Sequence, residues 1–532
     1  MKNYFALLKL LVVLPLGGSA LFSSALTGSF HVGTDKQLFL DHQFIESSEG
    51  IALSMHAPYQ TGEKLIVADQ PWEKACIIGG ASSVLREEGP KGIRTRLWYD
   101  VFDIAEQGVP GKGFRAIGYA ESADGIHFEK PILGLVELKG SMSNNLVMPT
   151  DASRTAVGGG SVSRDENPNC PPDQRYKSWS KFYSTPGSLK GDNRIWHSPD
   201  GFRWKIASVA PTGLRKADTQ PSWLWDSRIG RYLGYSREWV DLGRRQRVRM
   251  VGYNESDDML KWDSFELALK PDEQDGVVAP VVRVLGGAQA VEGKDTTEDV
   301  SPASSAMDFY APGIFKYREA PNLYFAMLSA FYHWQNEGGV SFPDTGDVQL
   351  AFSRDGRNFQ RLGARQPFLR LGPEGTFWSK YVWPLVQPVR MGNELWIYYQ
   401  GTNQDHSLRL DKKASQPETA ISRAILRLDG FVSVDAAYSG GWLTTPPLVH
   451  NGSRLELNLD TSAGGTAQVE VRDIAGKSIA GYRLADADAM NGNSVSMNVS
   501  WKGKSDVSSF AGKPFRLHFK LKNCRLYAFQ FL

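Results

Sequence analysis

Ser122-Ala123-Asp124-Gly125-Ile126-His127-Phe128 joins two strands through an Asp-Gly turn. Glycine accepts the positive φ that a tight hairpin needs, and Asp and Ser side chains bond the local backbone. The pattern returns as Ser198-Pro199-Asp200-Gly201-Phe202-Arg203-Trp204 and as Ser353-Arg354-Asp355-Gly356-Arg357-Asn358-Phe359. Ser256-Asp257-Asp258-Met259-Leu260-Lys261-Trp262 is a version without the glycine. The aromatic residue closing each motif is placed to pack across its hairpin. These aspartates are therefore read as turn residues rather than catalytic ones.

Upstream of each hairpin runs an aromatic strand: Arg96-Leu97-Trp98-Tyr99, Tyr176-Lys177-Ser178-Trp179, Tyr232-Leu233-Gly234-Tyr235 and Leu323-Tyr324-Phe325-Ala326. Leu395-Trp396-Ile397-Tyr398-Tyr399 is a fifth copy. Repeats of short meandering strands at this spacing predict an all-β chain with a five-bladed β-propeller. In the third repeat the innermost strand is expected over 220–225, the second over 232–239 and the third over 247–253. Beyond Gly441-Trp442-Leu443-Thr444-Thr445-Pro446-Pro447 the pattern changes to period-two alternation, as in Leu455-Glu456-Leu457-Asn458-Leu459. That alternation predicts a C-terminal β-sandwich. The expected division is a signal peptide over 1–25, the propeller over 26–435 and the sandwich over 436–532.

The bulk composition agrees with packed β domains. Hydrophobic residues make up 41% and glycines number 53. Lys plus Arg is 60 against 58 Asp plus Glu, without a basic stripe, so no nucleic-acid partner is expected. Lys2 and Lys9 flank the apolar run Leu7 to Leu16, with Gly17, Gly18, Ser19 and Ala20 following. This reads as a secretory signal peptide, hence a secreted or periplasmic protein without stable membrane insertion after cleavage. Cys76, Cys170 and Cys524 are read as buried thiols, with Cys76–Cys170 the conceivable disulfide.

Strand alternation brings the starts of the inner strands, the ends of the second strands and the starts of the third to one face. The acidic residues expected there as catalytic are Asp218, Asp308 and Glu238. Glu73, Arg237, Trp239, Tyr310, His333, Asp347, Glu374 and Trp378 are expected to bind substrate. Glycoside hydrolysis uses two carboxyl groups flanking the scissile bond, and aromatic faces receive sugar C–H groups. The expected partner is a carbohydrate. This chemistry requires no cofactor, although axial carboxylates could hold a structural Ca2+. A carbohydrate-binding propeller without catalysis is the alternative.

With its five repeats, Ser-x-Asp-Gly-x-x-Trp hairpins and following sandwich, the chain resembles the five-bladed glycoside hydrolases of the family 32 and family 43 superfamily. Leu38-Phe39-Leu40-Asp41-His42 and Ala424-Ile425-Leu426-Arg427-Leu428-Asp429-Gly430-Phe431 resemble an uncharacterised secreted bacterial branch of it. The resemblance implies a funnel-shaped active site with three acidic residues from the first three blades. The Asn-Asp-Pro-Asn-Gly motif of the invertase-like enzymes is missing from the first repeat. Arg164-Asp165 stands in a turn on the other face, leaving Asp151 nearest in the second repeat. No residue is therefore carried over. Sialidases are less similar, since Arg237, Arg247 and Arg249 all come from one repeat.

Overall fold

A computed structural model describes residues 28–532 apart from 74–75, 90, 104–110, 189, 215–219, 242–246, 273, 276–306, 333–344 and 405–417. The signal-peptide reading, Asp218 and His333 lie outside the described residues.

The four hairpins close as their chemistry dictates. In the first, the Ser122 hydroxyl accepts from Gly125 N at 2.9 Å, and one Asp124 oxygen accepts from Ile126 N and His127 N. The same bonds recur around Asp200, Asp258 and Asp355. Gly125, Gly201 and Gly356 adopt φ of 77–79°, and Met259 takes the equivalent position at 65°. Met259 is fully buried, and this burial offsets the strain of a left-handed non-glycine residue.

Every described element of any length is a strand, and the strands form open antiparallel sheets. The first sheet runs from Cys76–Ile78 and Ser83–Gly89 through Gly92–Asp103 and Arg115–Ser122 to Leu146–Met148. The second contains Ala156–Arg164, Tyr176–Tyr183, Asp192–Ser198 and Lys205–Ile206. The third contains Ser222–Asp226, Arg231–Asp241, Arg247–Ser256 and Glu266–Leu269. These last strands fall close to where the third repeat was expected to place them.

The expected five-bladed propeller is not what forms. None of the sheets closes on itself, and the fourth and fifth repeats are not separate blades. They belong to one eleven-stranded sheet, joined where Gly346 of Thr345–Ser353 bridges in parallel to Tyr381 of Tyr381–Pro384. The cause is local: a Cβ on Gly346 would stand 2.5 Å from a Tyr381 ring carbon, so only glycine admits the contact. Tyr59–Gln60 completes this sheet by pairing with Thr419–Arg427.

The C-terminal strands form two further sheets. One contains Leu455–Asp460, Asn493–Asn498, Cys524–Phe531 and Val432–Ala436, and also Ile51–Met55 and Gln37–Leu38. The other contains Gly441–Thr444, Arg516–Lys522, Thr466–Arg472 and Ser47–Glu49. They pack face to face over Leu443, Leu457, Leu459, Val469, Phe519 and Phe529. Residues 37–55 thus sit in sheets whose other strands lie beyond residue 431. Phe431 stacks on Phe325 at 4.1 Å between centroids and so fastens these sheets to the eleven-stranded one.

Candidate functional site

Side chains and backbone at the first strands tie neighbouring sheets together. Ser83 Oγ accepts from Val162 N at 2.9 Å, Ser161 O from Trp223 Nε1 at 3.0 Å, and Ser222 Oγ from Ile314 N at 3.0 Å. Gln220 donates to Ser82 O at 2.8 Å and accepts from Trp383 Nε1 at 2.9 Å. These bonds hold strands from four sheets at fixed distances, and the candidate site lies on that frame.

Register decides which predicted residues meet. Trp239 is paired with Arg249 and Arg237 with Val251, so Arg237, Trp239 and Arg249 share one face of the third sheet. Arg249 donates to Asp308 at 2.8 Å, with both side chains largely buried. Its guanidinium lies 4.3 Å from the Trp239 ring centre, 5.1 Å from Tyr310 and 5.2 Å from Phe331. Arg237 lies 4.8 Å from the Tyr310 ring. Tyr310 in turn packs against Phe331 at 4.9 Å and Trp383 at 5.1 Å. Burial pushes the Arg237 guanidinium below its ordinary range; the neighbouring Arg249 pushes the same way, and Tyr310 and Asp308 oppose it.

A second ion pair, on the first sheet, was not expected. Asp100, three residues before the end of Gly92–Asp103, receives Arg115 through both Nε at 3.0 Å and Nη2 at 2.6 Å. Gly158 makes room for that fork, since a Cβ there would stand 1.9 Å from Arg115 Nε. Tyr183 sits beside the pair. Burial raises its phenol, with Arg115 opposing and Asp100 and Tyr310 adding to the rise. Asp100 could have been found from the sequence, because counted from its hairpin serine it holds the place on the second strand that Arg237 holds in the third repeat.

Other expected residues are placed elsewhere. Glu238 is buried on the face opposite Arg237 and accepts from Ser236 Oγ at 2.8 Å. Glu73 is fully buried, accepting from Lys130 and Tyr99, each at 2.6 Å, so it is consumed by a structural ion pair. Glu374 is exposed, and Trp378 packs against Gly62, Gly372, Gly401 and Phe377. Asp347 pairs with Ala330, one row from the Asp308–Phe331 row and on the other face of the sheet. Its Oδ1 is buried without a hydrogen-bond partner among the described residues. Burial pushes its carboxyl up to about 7 despite Arg370 and Arg361 nearby.

Cys76, Cys170 and Cys524 form no disulfide with one another. Among the described residues no group of three or more His, Cys, Asp or Glu could hold a metal ion, so no residue set is assigned to calcium. No helix among them is long and apolar enough to cross a membrane.

No known protein family matches the chain, and no curated protein does. Solved structures resemble it distantly. An N-acetylgalactosamine deacetylase from F. plautii in complex with blood group B trisaccharide is 12% identical, with a TM-score of 0.44 over 71% of this chain and 96% of that one. A β-1,2-mannobiose phosphorylase from Listeria innocua is 12% identical, with 0.40 over 71% and 98%. A GH32 β-fructofuranosidase from Bombyx mori is 11% identical, with 0.38 over 87% and 95%. The three share carbohydrate chemistry by name, but likeness this distant assigns no activity. The resemblance to the family 32 and 43 hydrolases is therefore corrected: no family matches, the GH32 structure is only distantly alike, and the sheets stay open.

Proposed function

We propose that the protein is a secreted glycoside hydrolase acting on a polysaccharide or oligosaccharide. Asp308 and Asp218 form its acidic set. The observation carrying this reading is the corner where Asp308, Arg249, Arg237, Trp239 and Tyr310 meet from two sheets. Aromatic rings there offer apolar faces to a sugar ring, and the guanidiniums and Asp308 offer charged hydrogen bonds to its substituents. The ion pair with Arg249 presents Asp308 as a carboxylate, the form that serves as base or nucleophile. The complementary acid in this reading is Asp218, since Glu238 faces the other side of its sheet.

A carbohydrate-binding protein without turnover is the second reading. It is favoured by the same ion pair, which engages one Asp308 oxygen with Arg249 instead of leaving it to a reacting atom. Incubation with a glycan library and with aryl glycosides separates the two. Sugar release by the native chain, abolished in Asp308→Asn, supports the hydrolase. Glycan binding with no bond broken supports the binder.

A further inference from the structure

We propose that dioxygen joins the Cys170 thiol and the Lys177 amine through one bridging oxygen atom, a covalent N–O–S cross-link. The inference is independent of the carbohydrate reading above. Cys170 lies in the connection between Ala156–Arg164 and Tyr176–Tyr183, and Lys177 is the second residue of the latter strand. Lys177 Nζ donates to Cys170 Sγ at 3.2 Å. It also pairs with Asp165, whose Oδ2 accepts from the Tyr232 hydroxyl at 2.7 Å. Lys177 and Asp165 are buried, whereas Cys170 is partly exposed and so within reach of a small oxidant.

The site holds both reacting atoms in contact and a carboxylate beside them. Asp165 takes the proton that the Lys177 ammonium must lose before its nitrogen can react. The Cys170 S–H bond and one Lys177 N–H bond then break, and one oxygen of dioxygen forms S–O and O–N bonds. The other oxygen leaves as water with the two hydrogens. Sulfur and nitrogen give up two electrons each, and dioxygen takes up all four. Burial raises the Cys170 thiol, opposed by Lys177 and reinforced by Asp165, so the step is slow near neutrality and quickens as pH rises. Once bridged, the sulfur is closed to disulfide exchange with other chains. Cys76 and Cys524 stand apart from this chemistry: both are buried, and burial pushes the Cys524 thiol up to about 12.

The test is intact-mass spectrometry of the full chain held in air, followed by peptide mapping. A species that has gained one oxygen and lost two hydrogens is expected, mapped to a cross-link between Cys170 and Lys177. Dithiothreitol should reverse it and return the parent mass. Without denaturant, iodoacetamide should label Cys170 at least about tenfold faster after that reduction than before. Formation in air should quicken by about tenfold per pH unit on the alkaline side of neutrality. Cys170→Ser and Lys177→Arg should each abolish the species, with thermal melting to verify that the variants fold. The mass and labelling of the native chain keep the test valid where Lys177→Arg does not fold.

A native chain that keeps its parent mass after prolonged exposure to air overturns the inference. Gain of oxygen with no hydrogen lost marks a sulfenic acid on Cys170 and overturns it too. Loss of two hydrogens with no oxygen gained marks a direct S–N bond, and a doubled mass marks a disulfide between chains. Either result overturns the oxygen bridge, as does persistence of the species in folded Lys177→Arg. Glycan cleavage or its absence bears only on the Asp308 reading and leaves the cross-link untouched.

Discussion

Asp308 and Asp347 stand in neighbouring rows of the same sheet, yet they meet opposite surroundings. Asp308 faces Arg249 at 2.8 Å among aromatic rings. Asp347 faces the other way, with one oxygen buried and no hydrogen bond to it among the described residues, and burial pushes its carboxyl up to about 7. The separation is a single step along the strand, and a step of one residue exchanges the faces of a sheet. Two identical side chains therefore meet different electrostatic surroundings from register alone. Acidic residues collected by their position along a strand need sorting by face before they are given a role.

The sharpest way to break this comparison is turnover. In a cleavage assay well below the melting temperature, Asp308→Asn should cost on the order of 10²–10⁴ in rate, and Asp347→Asn less than about tenfold. The reverse ranking would move the chemistry to the other face. Stability gives the next largest contrast. Asp308→Asn removes a charge that Arg249 meets in a largely buried corner and should cost about 2–3 kcal/mol in denaturant melts.

Asp347→Asn should do the opposite, in a pH-dependent way. The folded carboxyl at about 7 lies above the usual value of 3.8, so the folded state binds the extra proton between those pH values. Stability then falls as pH rises from about 4 to 7 and stays low above. The variant should gain about 4 kcal/mol over the native chain at pH 8 and nothing at pH 3.5. A flat difference across that range would contradict the protonated Asp347. A subtler probe is Gly158→Ala, whose methyl displaces Arg115 from Asp100. It should cost about 1–2 kcal/mol and weaken sugar binding by a few-fold, leaving the Asp308–Arg249 pair intact. The smallest effect is expected at the hairpins. Asp355, lowered to about 2 by backbone and Asn358 bonds that outweigh its burial, contributes stability above pH 4. That contribution, about 1 kcal/mol, should disappear as pH falls through 2, and Asp355→Asn should flatten that part of the profile.

What the sequence disclosed follows the range of the interactions involved. The hairpins were legible because Ser, Asp and the turn residue lie within four positions and bond one another. The aromatic strands were legible from their own composition, and the third repeat came out close to its expected ranges. The merging of the last two repeats was not, because it depends on Gly346 meeting Tyr381 across a long connection. Glu73 was misread for a similar reason: Lys130, which neutralises it, lies far along the chain. Within the candidate site, Asp308, Arg237, Trp239 and Tyr310 do come together. Asp100 and Arg115 were missed because the strand-end rule was applied to the third repeat and not to the first.

The early strands that join the late sheets impose an order on assembly. Phe30–Gly33 pairs with Leu448–His450, and Ile51–Met55 with Val432–Ala436. A growing polypeptide must therefore carry its first strands unpaired, with open edges, until more than four-fifths of it has been made. No single proteolytic nick between residues 60 and 430 would release either half cleanly, since each retains strands the other needs. Such a clasp resists unravelling from either terminus, and it leaves strand edges of the nascent protein open for most of its synthesis.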